Sequence, residues 1–236
     1  MPRDSSLPPL RLFVMRHGRS VSNMIRDPRR LGRPPTQQEI EESQNVRDPR
    51  LTEFGEEACE WYRTVLPARL RRLGFDTHSC VLGSSPLLRA QETAELIFPF
   101  KDLVVFDALG ENVDVPENTP RGMRYRRPSW ARFLDDLNAL ASSEGASDFV
   151  VVAHGSFLMK SISKILGEDV PYLDNLDGYA LELRRNKKGA LTREGAVVHL
   201  PFPNKAYEGA RSDEPAFLHA WRVLFHGAVS EGSSEA

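Results

Sequence analysis

Two apolar segments that lie far apart in the sequence end on the same dipeptide, and this restricts the possible folds more than any other feature. Residues 10–15 precede Arg-His-Gly at 16–18, and residues 148–153 precede His-Gly at 154–155. Runs of β-branched, aromatic and bulky aliphatic residues predict buried strands, and we expect Gly18 to let the backbone turn tightly after the first of them. Because open α/β sheets bind ligands at the carboxyl edge of their strands, both histidines are expected near a ligand site.

Patterns typical of helices and strands alternate along most of the chain. The predicted elements are a helix capped by Thr52 with Pro67 inside it, a strand at 79–84, a helix that Ser85 caps and Pro86 begins, a strand at 103–106, a helix with apolar side chains from Trp130 to Leu140, a helix over 157–166, and outer strands at 179–183 and 197–200. This alternation predicts an α/β fold, a three-layer sandwich with a mainly parallel central sheet flanked by helices. We interpret residues 1–236 as a single domain with loose tails at 1–9 and 227–236, and a last helix is expected around 217–225.

The composition argues against several classes of protein. A formal net charge of -2 over 236 residues is unlike that of a protein that neutralises a nucleic-acid backbone. Cys59 and Cys80 are too few for a disulfide framework or a thiolate metal site, which indicates a reducing compartment. The sequence contains no apolar window long enough to span a membrane and no signal-peptide pattern at its start. We therefore expect a soluble, cytoplasmic protein with no nucleic-acid or membrane partner.

Four motifs, in the same order, resemble those of the histidine phosphatase superfamily, whose members include cofactor-dependent phosphoglycerate mutases and many phosphomonoesterases. The motifs are Arg-His-Gly at 16–18 followed by Ser20 and Asn23, Leu-Thr-Glu-Phe-Gly at 51–55, Ser-Ser-Pro-Leu-Leu-Arg-Ala-Gln-Glu-Thr-Ala at 84–94 and Val-Ala-His-Gly at 152–155, and Asn175 matches a later asparagine. The resemblance extends from residue 16 to about residue 183. It implies a phosphoglycerate mutase-like fold and a metal-independent phosphomonoesterase that needs no cofactor, in which His17 is the nucleophile and forms a phosphohistidine.

The residue types in these motifs suit the cleavage of a phosphate monoester. The substrate is a dianion, so catalysis needs cations around its non-bridging oxygens, a nucleophile in line with the leaving group, and a proton for the departing alkoxide. A neutral imidazole is a nucleophile near pH 7 when a backbone carbonyl holds its other N–H. Arg16, Arg89 and a protonated His154 would supply the charge, and Arg89 is expected in the first turn of its helix, where free N–H groups favour an anion. Two histidines could instead bind a metal ion, but the arginines beside them would repel it, so no metal site is expected.

Further residues near the motifs are assigned to phosphate or substrate binding. Asn23 is expected to contact phosphate, although it could instead cap a turn, and Gly155 follows His154 at the site. Arg19 stands where many members of the superfamily have an acidic residue, which makes the pocket rim more basic and favours an anionic leaving group. Two groups of arginines either contact the substrate or form a solvated surface: Arg26, Arg29 and Arg30, and Arg121, Arg124, Arg126 and Arg127. We include Arg26 among the binding residues.

The proton donor is expected in the loop that follows the third predicted strand. Glu111 matches the position at which the superfamily keeps its acid, and Asp107, Asp114 and Glu117 are close competitors. The loop itself, up to residue 128, is expected to cover the site. Phosphoglycerate mutases have the donor in a Glu-Arg-x-Tyr-Gly-like context, whereas here Glu111 begins Glu-Asn-Val-Asp. This departure favours a phosphatase over a mutase.

The sequence therefore predicts a phosphatase of small-molecule or protein phosphomonoesters. Three other functions stay open: a phosphotransferase of the mutase type, a phosphatase of protein phosphotyrosine, and an inactive relative that only binds phosphorylated partners. The complete set of arginines and histidines argues against the last of these. Neither the physiological substrate nor the oligomeric state follows from the sequence.

Overall fold

A central sheet organises the molecule, whose computed structural model describes residues 8–26, 33–204 and 206–207. Within these residues six strands form one mixed sheet. The strands are β1 (Leu10–Arg16), β2 (Val81–Ser84), β3 (Leu103–Val105), β4 (Asp148–Ala153), β5 (Gly178–Arg185) and β6 (Leu191–Leu200), and they lie in the order β3-β2-β4-β1-β5-β6. The two strands that precede the histidines, β1 and β4, are therefore neighbours in the middle of the sheet.

The sheet is mainly parallel, as the sequence predicts. β1 pairs with β4, β4 with β2, and β2 with β3 in parallel, whereas β5 is antiparallel to both β1 and β6. Arg16 lies opposite Ala153 in the register of β1 and β4, and the His17 N–H donates to the Ala153 carbonyl at 3.0 Å. Both strands consequently end at the same level, and each is followed by a histidine at the same edge.

Helices cover both faces of the sheet. They are α1 (Val21–Ile25), α2 (Gln37–Asn45), α3 (Glu53–Arg72), α4 (Leu88–Ile97), α5 (Trp130–Glu144) and α6 (Gly155–Leu166), with a short 3-10 helix at Pro116–Asn118. Apolar side chains of α3 and α4 pack on one face and those of α5 and α6 on the other, in two separate clusters of buried residues. Successive side chains of a strand point to opposite faces, so Phe13 belongs to the first cluster and Val14 to the second. The predicted three-layer α/β fold is confirmed.

The start of α3 follows from its sequence. Thr52 is the N-cap, as predicted, and its hydroxyl accepts the Gly55 N–H at 3.1 Å. Acidic side chains in the first turn and arginines in the last turn suit the helix dipole, and the helix continues through Pro67. None of the helices in the described part of the chain has both the length and the apolar character that crossing a membrane requires.

The start of α4 differs from the prediction. Ser85 and Pro86 do not begin this helix, which starts at Leu88 with Leu87 as its N-cap. The prediction was wrong because a carboxylate from another segment does the capping: Oδ1 of Asp48 accepts the Leu88 N–H at 2.9 Å. The hydroxyl of Ser85 accepts the Leu87 N–H at 3.2 Å and lies before the helix rather than at its cap.

Gly18 is required for close packing rather than for a turn. Its φ does not lie in the positive region, so any residue could adopt this backbone. A Cβ atom on Gly18 would lie 2.8 Å from the Sγ of Cys59 and 3.3 Å from the carbonyl oxygen of Gly55, both on α3. The absence of a side chain therefore lets α3 approach the end of β1.

The remaining differences concern the limits of elements. β2 begins at Val81, β3 ends at Val105 and α6 begins at Gly155, each within a few residues of the prediction. The helix predicted at 217–225, the tail at 227–236 and most of the tail at 1–9 lie outside the described residues. The division into one domain stays a prediction.

Candidate active site

The two histidines that follow β1 and β4 lie side by side. The ring centroids of His17 and His154 are 5.2 Å apart, and the side chains are buried, with exposed fractions of 3% and 0%. The paired parallel strands bring them together because both chains leave the sheet at the same level. The structure thus joins the two sequence motifs at one point.

The imidazole of His17 is oriented by its own neighbour. Its Nδ1 lies 2.6 Å from the carbonyl oxygen of Gly18, so Nδ1 carries the proton and Nε2 presents a lone pair. Burial lowers the pKa of His17 well below its usual value of 6.5, and Arg89, His154 and Arg16 lower this pKa further. His17 is therefore neutral at pH 7, and the lone pair of its Nε2 faces the Nε–H of Arg89.

His154 is held by a different partner. Its Nε2 lies 2.7 Å from the hydroxyl of Ser85, and its buried Nδ1 has no hydrogen-bond partner within the described chain. Burial lowers the pKa of His154 well below its usual value of 6.5, and the positive charges of Arg89 and Arg16 lower this pKa further. The imidazole that we expected to be protonated is thus neutral near pH 7, and its pKa rises only when an anion lies beside it.

Arg16 ends β1 with its guanidinium buried beneath an aromatic ring. Nη1 donates to the carbonyl of Leu173 at 2.6 Å, and the guanidinium carbon lies 4.8 Å from the ring centroid of Tyr172. The Nε of Arg16 is buried and finds no acceptor among the described residues. The Tyr172 ring also covers Gly155, where a Cβ atom would come within 2.7 Å of it. The sequence contains no signal that marks Tyr172 as part of the site.

Arg89 lies in the first turn of α4, as predicted, and only 2% of it is exposed. Its Nε donates to Nε2 of His17 at 3.2 Å, Nη1 to the carbonyl of Glu117 at 2.9 Å, and Nη2 to Oδ1 of Asn118 at 3.0 Å. Burial lowers the pKa of Arg89, and the carboxylate of Glu117 is the largest influence that opposes this shift. The 3-10 turn therefore fixes the orientation of this guanidinium, a role for Asn118 that sequence reasoning missed.

Arg26 binds the 3-10 turn Pro116–Asn118, which also contacts Arg89. Its Nη1 and Nη2 donate to the two carboxylate oxygens of Glu117 at 3.0 and 2.7 Å, and the side chain of Glu117 is only 5% exposed. A bidentate pair of this kind has well-defined geometry, so Arg26 stabilises the turn that holds Arg89. Arg29 and Arg30 lie outside the described residues.

Asn23 braces the backbone around the first motif. Its Oδ1 accepts the Ser20 N–H at 3.3 Å, which completes the N-terminal cap of α1, and also accepts from Nδ2 of Asn175 at 3.1 Å. The same Nδ2 donates to the carbonyl of His17 at 2.9 Å. Capping was the alternative that the sequence left open for Asn23, and the phosphate contact stays a prediction.

Arg19 is buried, with 6% of its surface exposed, although the sequence predicts it at the pocket rim. Its guanidinium lies 5.9 Å from the ring centroid of Phe54 on α3. Its carbonyl oxygen accepts both the N–H and the hydroxyl of Thr52, at 2.9 and 3.1 Å. Arg19 thus links the first motif to the start of α3, and its contact with substrate stays a prediction.

The four candidate acids differ in their partners. Oε1 of Glu111 accepts the N–H of Phe157 at 3.1 Å, in the first turn of the helix that follows His154. Asp107 and Glu117 each pair with an arginine, and Asp114 is exposed. Among these four, Glu111 alone is fixed at the N-terminus of α6 without an arginine on its carboxylate.

A cavity of about 380 Å³ lies beside Asn118, which accepts a hydrogen bond from Arg89. Asn118 forms part of its wall, and Arg124 and Arg126 line it from the loop after β3, whereas Arg121 and Arg127 do not. Nowhere in residues 8–26, 33–204 and 206–207 do three or more His, Cys, Asp or Glu side chains gather as metal ligands would. Independence from metal ions stays a prediction.

No protein-family model matches the sequence, and neither does any curated protein. Among solved structures, the protein histidine phosphatase SixA complexed with tungstate is 17% identical, with a TM-score of 0.50 over 83% of this chain and 99% of that chain. Two further solved structures are similar. Phosphoserine phosphatase from Entamoeba histolytica in complex with 3-phosphoglyceric acid is 18% identical, with a TM-score of 0.47 over 79% of this chain and 95% of that chain. Alpha-ribazole phosphatase from Shigella flexneri is 18% identical, with a TM-score of 0.46 over 78% of this chain and 95% of that chain. The likeness to SixA shows that the chain has a histidine phosphatase fold, which confirms the fold that the four motifs imply.

Proposed function

We propose that this chain is a member of the histidine phosphatase superfamily and hydrolyses phosphomonoesters, without a metal ion, through a phosphohistidine on His17. One observation carries the proposal: two buried histidines and two buried arginines converge where the central strands end. Two of their nitrogens, Nε of Arg16 and Nδ1 of His154, are buried without partners in the described structure. Buried polar atoms are rarely left unsatisfied, and phosphate oxygens are suitable acceptors for both.

The first chemical step is attack by His17. The lone pair of Nε2 forms a bond to phosphorus while the bond from phosphorus to the ester oxygen breaks, and the electrons of that bond pass to the leaving group. Glu111 gives its proton to this oxygen, so the product leaves as an alcohol. The Gly18 carbonyl, 2.6 Å from Nδ1, stabilises the positive charge that develops on the imidazole.

The second step returns the enzyme to its initial state. The carboxylate of Glu111 takes a proton from water as the water oxygen attacks phosphorus, and the bond between phosphorus and Nε2 breaks. The nearby dianion raises the pKa of His154, which takes up a proton from solvent, and Arg16, Arg89 and the protonated His154 then hold the non-bridging oxygens in both steps. Glu111 lies in the loop after β3, and its Oε1 accepts the Phe157 N–H in the first turn of α6, the helix that follows His154. This contact supports its use in both directions.

The test combines turnover with trapping of the intermediate. Purified protein is assayed on p-nitrophenyl phosphate and on a panel of alkyl phosphates after exhaustive chelation, and enzyme quenched during turnover is probed for phosphate. We expect activity to survive chelation, and we expect a phosphoryl label that is labile in acid and stable in base. Loss of activity that a divalent ion restores would replace this mechanism with metal-assisted hydrolysis. Transfer of the label to a second substrate molecule instead of water would indicate a mutase. Absence of turnover on every ester would indicate a protein that only binds phosphorylated partners.

A further inference from the structure

We propose that Tyr172 is a positioning residue for phosphate: its ring keeps the guanidinium of Arg16 in the orientation in which it binds a phosphate oxygen. This inference rests on the proposed function, because that phosphate is the one of the substrate. Tyr172 belongs to none of the four sequence motifs, and its side chain is half-exposed. Its place in the site follows from its contacts with the ends of both central strands.

The first contact is with the side chain that ends β1. The guanidinium carbon of Arg16 lies 4.8 Å from the centroid of the Tyr172 ring, which is within the range of cation–π attraction. Arg16 is only 7% exposed, although the tyrosine that packs on it is 52% exposed. The ring therefore forms part of the cover that separates this guanidinium from solvent.

The backbone after Tyr172 holds the same arginine. The carbonyl of Leu173 accepts Nη1 of Arg16 at 2.6 Å. The carbonyl of Asp177 accepts the Arg16 N–H at 2.8 Å, and the Leu176 N–H donates to the Arg16 carbonyl at 3.2 Å. The buried Nε of Arg16 has no acceptor among the described residues. Ring and backbone together thus restrict the guanidinium to an orientation in which Nε stays available to a phosphate oxygen.

The second contact is with the residue that follows His154. A Cβ atom on Gly155 would lie 2.7 Å from both Cζ and the hydroxyl oxygen of Tyr172, and 3.1 Å from Cε2. The first of these distances is too short for atoms that are not bonded, so a side chain at position 155 and the ring exclude each other. The φ of Gly155 is not positive, so the ring rather than the backbone requires glycine there. Tyr172 consequently links the two strand ends that carry the candidate catalytic histidines.

Two other roles would suit a half-exposed tyrosine at the site: a surface side chain without any part in phosphate binding, and a platform for the leaving group. Tyr172→Phe keeps the aromatic ring, and Tyr172→Leu removes it. Phe100→Leu is the matched control, because it removes a ring that is 99% exposed in the segment between α4 and β3. Each protein is assayed on p-nitrophenyl phosphate and on an alkyl phosphate, and its affinity for inorganic phosphate is measured by calorimetry.

Tyr172→Leu is expected to weaken the binding of inorganic phosphate about tenfold, as loss of a cation–π contact with a poorly solvated cation does. It should lower kcat/KM by a similar factor on both esters, because both carry the same phosphoryl group. Tyr172→Phe should restore all three values to within about twofold of wild type, and Phe100→Leu should change none of them. A loss confined to one ester would assign the ring to the leaving group, and unchanged phosphate binding in Tyr172→Leu would make it a surface residue. Either result would overturn the inference.

Gly155→Ala gives a second test, because it displaces the ring without removing it. In the wild-type background we expect it to weaken phosphate binding about as much as Tyr172→Leu does. The loss should persist in the Tyr172→Phe background, since phenylalanine retains Cζ, and should fall below about twofold in the Tyr172→Leu background, since leucine ends before that atom. Additive losses of Gly155→Ala and Tyr172→Leu would contradict a role for the ring.

Calorimetry with inorganic phosphate keeps this inference separate from the proposed function. If the wild type hydrolyses no ester but binds phosphate, and Tyr172→Leu weakens that binding, the positioning role stands and the hydrolytic function is wrong. If the esters are hydrolysed and neither phosphate affinity nor kcat/KM depends on Tyr172, the hydrolytic function stands and the positioning role is wrong. A wild type that neither binds phosphate nor hydrolyses an ester would overturn both.

Discussion

The ends of β1 and β4 can be compared directly because both are apolar strands followed by His-Gly, whereas different groups hold the two histidines. Both are buried parallel strands in the middle of the sheet, and both are followed by His-Gly. At the first, Nδ1 of His17 is held by the carbonyl of Gly18. At the second, Nε2 of His154 is held by the hydroxyl of Ser85, and Nδ1 is left without a described partner.

This difference teaches that the dipeptide alone does not determine what a histidine can do. The group that holds one ring nitrogen decides which nitrogen faces the ligand and whether it presents a lone pair. A carbonyl can only accept, so the neutral imidazole of His17 carries its proton on Nδ1 and presents an unprotonated Nε2. A hydroxyl can donate or accept, so His154 can gain a proton without losing its partner, as a residue that stabilises negative charge must.

The surroundings of the two strand ends extend the comparison. Arg89 contacts the first histidine directly, whereas the second leads into α6, whose first turn holds the carboxylate of Glu111. We therefore assign attack on phosphorus to the end of β1, and proton transfer together with charge stabilisation to the end of β4.

The largest expected effect tests the nucleophile. His17→Ala is expected to lower kcat on p-nitrophenyl phosphate at least about a thousandfold and to abolish the phosphoryl label, because the variant lacks the nitrogen that we propose as the attacking atom. Steady-state assays and acid–base stability of the label measure both results. His78→Ala, a change at an exposed histidine outside the site, is the matched control and should retain activity. A rate for His17→Ala at even a tenth of the wild type would place the nucleophile elsewhere.

A smaller effect, dependent on the leaving group, tests the acid. An alkoxide is a strong base that needs a proton, whereas nitrophenolate leaves readily without one. Glu111→Gln is expected to slow alkyl phosphate hydrolysis roughly a hundredfold, as loss of a general acid does, and to slow p-nitrophenyl phosphate hydrolysis much less. The ratio of kcat values on the two substrates is the measurement.

Asp114→Asn serves as the control for this test, since Asp114 is an exposed acid of the same loop. Equal losses on both substrates in Glu111→Gln would remove Glu111 from the acid role. If the loss of rate depended on the leaving group only in Asp114→Asn or only in Asp107→Asn, that aspartate would be the general acid instead.

The smallest effect concerns stability against acid. The pKa values of His17 and His154 are lowered in the folded protein, so below about pH 6.5 the unfolded chain binds protons that the folded chain does not. The free energy of unfolding should therefore fall as the pH drops below this value, by at most about 1.4 kcal/mol per pH unit for each histidine. Urea unfolding between pH 7 and pH 5 measures the slope.

Single variants divide this slope between the two histidines. His154→Gln and His17→Ala should each make the dependence on pH shallower, and His78→Gln, a change at an exposed histidine outside the site, is the control. An unchanged slope in both site variants would contradict neutral buried imidazoles. Added inorganic phosphate should also flatten the slope in the wild type, because an anion raises the pKa of His154.

The parts of the molecule that local sequence determines were predictable. The apolar runs of β1 and β4 identify a parallel sheet, Thr52 marks the start of α3, and the motifs that contain His17 and Arg89 place their side chains at one edge. Each of these follows from residues within a few positions of one another, or from the rule that parallel strands share a carboxyl edge.

Contacts between distant segments were not predictable. The cap of α4 comes from Asp48, forty residues away in sequence and in the left-handed region with a φ of 43°. The partner of Arg89 is Asn118, and the ring over Arg16 is Tyr172. Such residues carry no local pattern, because their role arises only when folding brings two loops together. The rule that serine caps helices failed at Ser85 for the same reason.

If His17 is the nucleophile, as we propose, its hydrogen bond with Arg89 would make it chemically selective. The lone pair that must attack phosphorus already accepts the Nε–H of Arg89 at 3.2 Å. An anionic phosphate oxygen is a better acceptor for a guanidinium than a neutral imidazole is, so an arriving phosphate ester draws this donor to itself and uncovers the lone pair. An uncharged electrophile, such as an alkyl halide or an anhydride, offers no such oxygen and meets a nitrogen that is still covered. The residue that would hold the substrate thus also shields the histidine from reagents that are not substrates.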